Sequence, residues 1–265
     1  MKEIIKFLVP PIIFEFYYIF FRVLNFIKYR SILKKNYKLK KTLEFPNAVF
    51  VGNGPSLKKE RLDLIKNYDL IVCNDFYLHD SFYNLKIKYY INLDPTEKWI
   101  LNISKILEKV DLKNTIFILP IKVKNKIDNY SEFKDISVFY ISAVGQTKIL
   151  NKYFINISKS IIHINNIVQF IMIFTNFISY KNVYFLGVDM DFLAHKNKSL
   201  IPHFYSNDKN VSHIPKITEG QYTRGALNVH ILFMSVKELN DITKTNFYNT
   251  NQESFMEFID YKNLL

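Results

Sequence analysis

The 265-residue chain contains a single cysteine, Cys73. No intrachain disulfide can form, and a structural zinc site built on several thiolates is excluded. A reducing, cytoplasmic setting is the expectation. Glycine is also scarce, six in all, and two of the six stand together in Gly52-Asn53-Gly54. The chain has neither GxGxxG nor a P-loop ending in GK[ST]. It lacks zinc-finger, RNP and helix-turn-helix signatures, so no nucleic-acid partner is expected. No internal repeat and no low-complexity linker divides it. Acidic residues are outnumbered, 24 against 36 Lys and Arg, for a formal charge of +12. That excess implies an acidic partner.

What is present bounds the class. A hydrophobic content of 49% supports a sizeable core, and a mean hydropathy near zero excludes both a disordered chain and a polytopic membrane protein. The length suits one large α/β domain with a small appendage.

Residues Ile12 to Phe26 read IIFEFYYIFFRVLNF and follow Pro10-Pro11, which favours a helix start. The run is short for a spanning helix, which wants about 20 apolar residues, and Glu15 and Arg22 interrupt it. It lacks the small-residue cleavage site of a signal peptide. Lys28, Arg30, Lys34, Lys35, Lys38, Lys40 and Lys41 come directly after it. An apolar helix followed by a basic run is the pattern of a segment lying in the interface of an anionic membrane. Packing on the protein's own core or on a partner subunit is the alternative, and a signal anchor a third. The expected division is therefore 1–45 as membrane-interface helix and basic segment, and 46–265 as the catalytic domain.

From Asn47 onward, short apolar runs alternate with longer mixed segments, the texture of βα units. The runs Ala48–Val51, Leu70–Cys73, Tyr89–Ile91, Thr115–Leu119, Val138–Ile141 and Val183–Leu186 are rich in β-branched and aromatic residues. Strands buried on both faces of a parallel sheet look like this. Helices are expected near Lys59–Lys66, Lys98–Val110, Ile161–Ile178 and Ala226–Ile242. The polar stretch Lys196 to Thr223 reads as a long loop or lid, and such loops are often functional. The fold class is α/β, Rossmann-like, with a mainly parallel sheet flanked by helices.

Four polar motifs follow four of these runs. Gly52-Asn53-Gly54-Pro55-Ser56 follows the first, where open α/β sheets bind nucleotides. Its glycines permit close backbone approach, and Ser56 is placed to cap a following helix. Asn74 follows the second run, and Asn92 and Asp94 the third, with polar groups suited to a ribose or a base. Asp189 and Asp191 follow the sixth, and two carboxylates two apart can hold magnesium or manganese against a diphosphate. Each motif alone is also compatible with an ordinary turn. His203, followed by Phe204 and Tyr205 in the long loop, offers a proton acceptor at neutral pH. Its rivals are His195, His213 and His230.

The order GNGPSL, CN-x-F, N-x-DP, G-[IV]-D after a long helix and then H-aromatic resembles glycosyltransferase family 42, bacterial sialyltransferases that modify lipooligosaccharide. It is also similar to the wider MptE-like family, which includes enzymes that build surface glycans or diphosphorylate a pterin. The resemblance spans Ala48 to Leu239. It implies a nucleotide site at Asn53, Ser56, Asn74 and Asn92 or Asp94, with Asp189 beside the nucleotide and His203 as general base of an inverting transfer. Asn165 and Asn166 occupy the place nearest the family's ribose and base contacts. The apolar amino terminus resembles leaders on other bacterial polysaccharide-assembly proteins.

There are departures from the family. It has a tyrosine two residues after its Gly-x-Asp aspartate, where this chain has Asp191. Tyr205, Tyr222 or Arg224 would then serve the donor phosphate, unless the donor is a nucleoside diphosphate sugar carried with a metal. The step from Asp189 to His203 is also shorter than the family's. The expected protein is thus a glycosyltransferase of surface-polysaccharide or lipooligosaccharide assembly without a tightly bound cofactor. Its partners would be a nucleotide-sugar donor, a glycan or glycolipid acceptor, and anionic lipid on the cytoplasmic face of the inner membrane, with self-association left open. A diphosphokinase and a non-catalytic membrane scaffold are the alternatives.

Overall fold

The computed structural model describes residues 11–144, 155–161, 164, 166–190, 204, 233–254 and 256–264, apart from the side chains of 11, 12, 14, 15 and 59. The lid expected at 196–223 lies outside them, save Phe204.

Eight parallel strands form the core: β1 (Asn47–Val51), β2 (Asp69–Cys73), β3 (Ile87–Ile91), β4 (Ile116–Pro120), β5 (Ser137–Ala143), β6 (Ser160–Ile161), β7 (Asn182–Leu186) and β8 (Asn246–Asn249). Their spatial order is β6-β5-β4-β3-β2-β1-β7-β8. The chain moves steadily one way from β1 to β6, then crosses back to lay β7 on the other side of β1. Alternate residues face opposite layers: Ala48 and Phe50 join one apolar cluster, Val49 and Val51 the other. This is why the strands are apolar throughout rather than alternating.

Helices cover both faces. Helix α2 (Glu97–Leu107) begins at Thr96, whose side chain accepts from the Trp99 N–H at 3.1 Å. Helix α3 (Ile167–Ile178) starts at a capping box of Asn166 and Gln169 and ends at Ser179 in the left-handed region, φ 78°. It is apolar nearly all round and accordingly buried nearly all round. A helical stretch at 233–242 packs on the same side.

Two expected helices are corrected. In place of a helix at Lys59–Lys66 there are two 3-10 turns, Pro55–Lys59 and Leu62–Leu64. The buried residues there, Leu57, Leu62 and Ile65, follow no helical repeat. The helix expected to start at Ile161 starts six residues later, because the Asn166 cap defines its first turn and Ile161 is already committed to β6.

The amino-terminal helix α1 (Pro11–Leu33) packs against β5 and β6. It turns an arginine inward while leaving a largely apolar face outside. Arg22 is 3% exposed and its Nε–H donates to the Val144 carbonyl at 2.9 Å. The outward face instead carries Ile13, Phe16, Phe20, Val23, Leu24 and Ile27, with Phe16 66% and Ile27 64% exposed. Beyond α1 the chain is fastened down. Leu33 and Leu39 are fully buried, and Asn36 Nδ2 donates to the carbonyls of Tyr140 and Ile157 at 2.9 and 2.7 Å. No described helix is long and apolar enough to cross a membrane.

Candidate functional site

The four polar motifs arrive at one edge of the sheet. Gly52–Ser56, Asn74, Asn92–Asp94 and Asp189 lie just past the carboxyl ends of β1, β2, β3 and β7, and these strands are neighbours. The boundary between β1 and β7 is the point where strand order reverses, the usual ligand crevice of an open α/β sheet.

The turns after β1 and β7 are fastened to each other. The Gly52 N–H donates to Leu186 O and the Gly54 N–H to Gly187 O, both at 2.8 Å. The Ser56 N–H donates to Asp189 Oδ2 at 3.1 Å. A Cβ on Gly54 would stand 2.3 Å from that carboxylate oxygen, and one on Gly52 2.4 Å from Gly187 O. The close approach these glycines permit is between two turns. The expected Ser56 helix cap is corrected too. The element is a five-residue 3-10 turn whose cap position is Gly54, and the carboxylate of Asp189 takes up the N–H that would otherwise attract an anion.

Asp189 is 7% exposed, and its other oxygen accepts from Asn251 Nδ2 at 2.8 Å. Both carboxylate oxygens therefore already hold protein donors. Among the described residues no group of three or more His, Cys, Asp or Glu side chains gathers to hold a metal ion. Asp191 lies outside the described residues. Of the carboxylate pair expected to hold magnesium or manganese, the structure thus describes Asp189 alone, with both its oxygens engaged.

Two acceptors at this turn lack partners among the described residues. Asn53 is buried; its Nδ2 reaches the Cys73 carbonyl at a long 3.5 Å, and its Oδ1 has no partner among the described residues. The buried Ser56 Oγ has none either. Each such group costs roughly 1–3 kcal/mol unless a ligand or water satisfies it.

The other strand ends are firmer. Asn74 sits at φ 49°, a conformation asparagine tolerates. Its carbonyl accepts from Tyr90 Oη–H at 2.7 Å and Trp99 Nε1–H at 2.8 Å. Asn92 is buried and its Oδ1 accepts the Asp94 N–H at 3.0 Å, an Asx turn. The Asp94 carboxylate is exposed and pairs with Lys122 Nζ at 2.8 Å. Asn166 caps α3 and also points Nδ2 at Met190 Sδ, 3.7 Å away, which brings it beside the β7 turn. Asn165, His203 and Tyr205 lie outside the described residues, as do His195, His213, His230, Tyr222 and Arg224.

Phe204 is buried against this site. Its N–H donates to Asn53 O at 3.0 Å. Its ring meets Phe76 and His79 edge-on, with centroids 6.5 and 5.1 Å apart. Sequence reasoning passed over His79, although a histidine shortly after the Asn74 strand end was a usable signal. Its Nδ1 accepts the Ser81 N–H at 3.1 Å, so the neutral ring carries its proton on Nε2. Burial holds its pKa below the usual histidine range. Glu60 was missed as well. Burial, and secondarily the charge of Asp189, push its pKa up. Nothing in its sequence neighbourhood marked it.

Two cavities stand out. One of about 460 Å³ opens at the opposite, amino edge of the sheet, where Glu44 pairs with Lys86 and Lys88. Its charges already satisfy one another, and it is remote from the motifs. The other, about 310 Å³, lies at the carboxyl edge between α1 and the ends of β4 and β5.

No family model matches the chain and no curated protein matches it. Two solved structures are similar. One is the alpha-2,3-sialyltransferase from Campylobacter jejuni in apo form, with 20% identity over 80% of this chain and 77% of that one, at a TM-score of 0.44. The other is the sialyltransferase CST-II in complex with a trisaccharide acceptor and CMP, with 18% identity over 81% and 85%, at a TM-score of 0.46. Neither likeness says what this chain binds.

Proposed function

We propose that the chain is a glycosyltransferase that takes a nucleotide sugar at the β1–β7 crevice and works as a peripheral protein on the cytoplasmic face of an anionic membrane. The observation that carries the reading is the pair of buried, unpartnered acceptors, Asn53 Oδ1 and Ser56 Oγ, at the switch point of the sheet. An amide oxygen there suits a donor such as a ribose hydroxyl or a base amino group. With Asp189 filling the turn's anion position, the donor phosphate belongs elsewhere, and Tyr205, Tyr222 or Arg224 are the groups proposed for it. The motif order adds the resemblance to family 42, which makes CMP the first nucleotide to try.

In the proposed displacement, the acceptor hydroxyl oxygen bonds to the anomeric carbon of the donor sugar. The bond from that carbon to the phosphate oxygen breaks, its electron pair leaves on the nucleotide, and the hydroxyl proton passes to a base. His203 is the proposed base, and the docking of Phe204, the next residue, beside Asn53 supports it. The membrane part of the reading is supported by the apolar outward stripe of α1 and by the seven exposed basic residues from Lys28 to Lys41. Each contributes about 1 kcal/mol near an anionic surface.

Thermal shift with CMP, UDP, GDP and ATP tests the transferase reading. One nucleotide should raise the melting temperature of the parent and not of Asn53→Ala. No response to any of the four removes the reading. A response to ATP alone, accompanied by turnover of a pterin, moves the chain to the diphosphokinase class.

A further inference from the structure

Phe204, the described residue of the polar stretch 196–223, is held from several sides. Its N–H donates to the Asn53 carbonyl at 3.0 Å. Its ring, 7% exposed, stands edge-on to Phe76 and to His79. Those two rings lie against each other, 10° apart in plane and with centroids 5.3 Å apart. Phe76 is fully buried and rests in turn on Phe82, which meets Tyr90 of β3. Tyr90 Oη–H donates to the Asn74 carbonyl. The place that receives Phe204 is thus rooted in the core and built on the strand end that carries Asn74.

His79 stands in this wall in a fixed pose. It is the N-cap of a 3-10 turn, Asp80–Asn84, and its Nδ1 accepts the Ser81 N–H at 3.1 Å. The neutral ring then carries its proton on Nε2. A second proton enters only at Nδ1, at the expense of the Ser81 bond, and burial opposes the cation as well. His79 therefore has no lone pair to spare for an acceptor hydroxyl. It contributes a flat ring of fixed orientation.

The residue before Phe204 is His203, the proposed base. Consecutive Cα atoms are about 3.8 Å apart, so whatever holds Phe204 limits where that base can stand. A general base works within about 2.6–3.2 Å of the proton it takes. Misplacing it by about 1 Å costs about 10²-fold in rate.

We infer that Phe76 and His79 form a socket for Phe204, and that all three are positioning residues. The clasp sets the base over the crevice, and His79 takes no proton itself. The inference rests on the transferase reading and assigns how its base is placed.

Two substitutions at His79 separate the ring from the cap. His79→Phe keeps a flat ring on Phe76 and gives up the Ser81 bond. His79→Asn keeps an N-cap acceptor and gives up the ring. Phe204→Ala empties the socket. Each is made in the full chain and compared with the parent in three ways. Tryptic cleavage after Lys198 and Lys209, which bracket Phe204, reads the clasp. Thermal shift reads nucleotide binding. Nucleotide release with lactose present counts transfer and hydrolysis together. Its donor is CMP-N-acetylneuraminic acid, UDP-glucose or GDP-mannose, matching the nucleotide that raises the melting temperature. His79→Asn and Phe204→Ala should be cleaved several-fold faster than the parent. Both should release nucleotide about 10- to 100-fold more slowly, with the donor KM and the thermal shift close to the parent's. His79→Phe should keep the parent's cleavage and rate, and melt lower for want of its cap. Loss of release in His79→Phe overturns the inference. If His79→Asn is then normal, the cap is what matters; if it too is lost, chemistry runs through a ring nitrogen. Phe204→Ala at the parent's rate overturns it as well. If cleavage responds as expected but no nucleotide stabilises the parent, the clasp stands and the transferase reading falls, with the positioning role.

Discussion

The carboxyl edge of the sheet has two unlike halves. Around β1 and β7 the turns are drawn together by three hydrogen bonds, two glycines leave no space between them, and the buried carboxylate of Asp189 closes the gap. Around β4 and β5 a cavity remains under α1. Tied to each other, the described turns make the motif-rich half the rigid one. The motif-poor half has room. A site that must hold a nucleotide against displacement gains from the first, since preorganised polar groups lose little on binding.

The largest effect expected concerns the proposed base. His203→Ala should lower transfer from the selected nucleotide sugar by about 10²–10⁴, with the nucleotide thermal shift kept. If His203→Ala is near normal and His213→Ala is not, the base was misassigned. If His79→Ala alone removes transfer, chemistry runs through the ring that Phe204 covers.

Rigidity itself is tested next. Gly54→Ala forces a Cβ against Asp189 and Gly187 and should cost about 1–3 kcal/mol by overpacking, with nucleotide binding lost. Ala143→Trp in the open half should change the melting temperature little. Equal tolerance at both positions in denaturant titrations would erase the distinction between the halves.

The halves also differed in how far they could be read in advance. Six of the eight strands were legible because doubly buried strands are apolar runs. The other two lie at the sheet's edges: β6 has two residues, and β8 reads NFYN, so neither presents such a run. The polar strand ends were legible because an Asn or Asp stands one to three residues past each apolar run: Asn53, Asn74, Asn92 and Asp189. What they do there was not. The bond from Ser56 to Asp189 spans 133 residues, and local pattern cannot report it. The orientation of α1 was hidden for a related reason. An apolar stripe is ordinarily read as the buried side, whereas here a buried arginine that donates from Nε to the Val144 carbonyl fixes the opposite side inward.

That orientation gives a smaller, separable effect. Phe20 and Ile27 are 59% and 64% exposed, so the double variant Phe20→Glu, Ile27→Glu should fold as well as the parent. Its affinity for phosphatidylglycerol vesicles should fall at least tenfold, about 1.4 kcal/mol, in cosedimentation. A collapse of the melting temperature instead would mean that protein, not lipid, covers the stripe.

The smallest effect tests how full the rigid half is. Glu60 is half-buried beside Asp189, and burial first, then that neighbouring charge, raise its pKa. A carboxyl raised in the folded state stays protonated there after it has ionised in the unfolded chain. Its contribution to stability is fully present below the unfolded value, about 4.3, and is lost as pH rises through the folded one. Glu60→Gln cannot ionise and keeps the shape. It should match the parent below pH 4 and melt higher than the parent at pH 7, by a degree or so on the scale of about 4–8 °C per kcal/mol for a small domain, less for a longer chain. In an Asp189→Asn background the second cause is gone, and the gain at pH 7 should shrink. A Glu60→Gln protein that melts lower than the parent at pH 7 would mean that the ionised carboxylate is held by a favourable partner, and the crevice would then have to be read as a cation-lined pocket rather than a crowded anionic one.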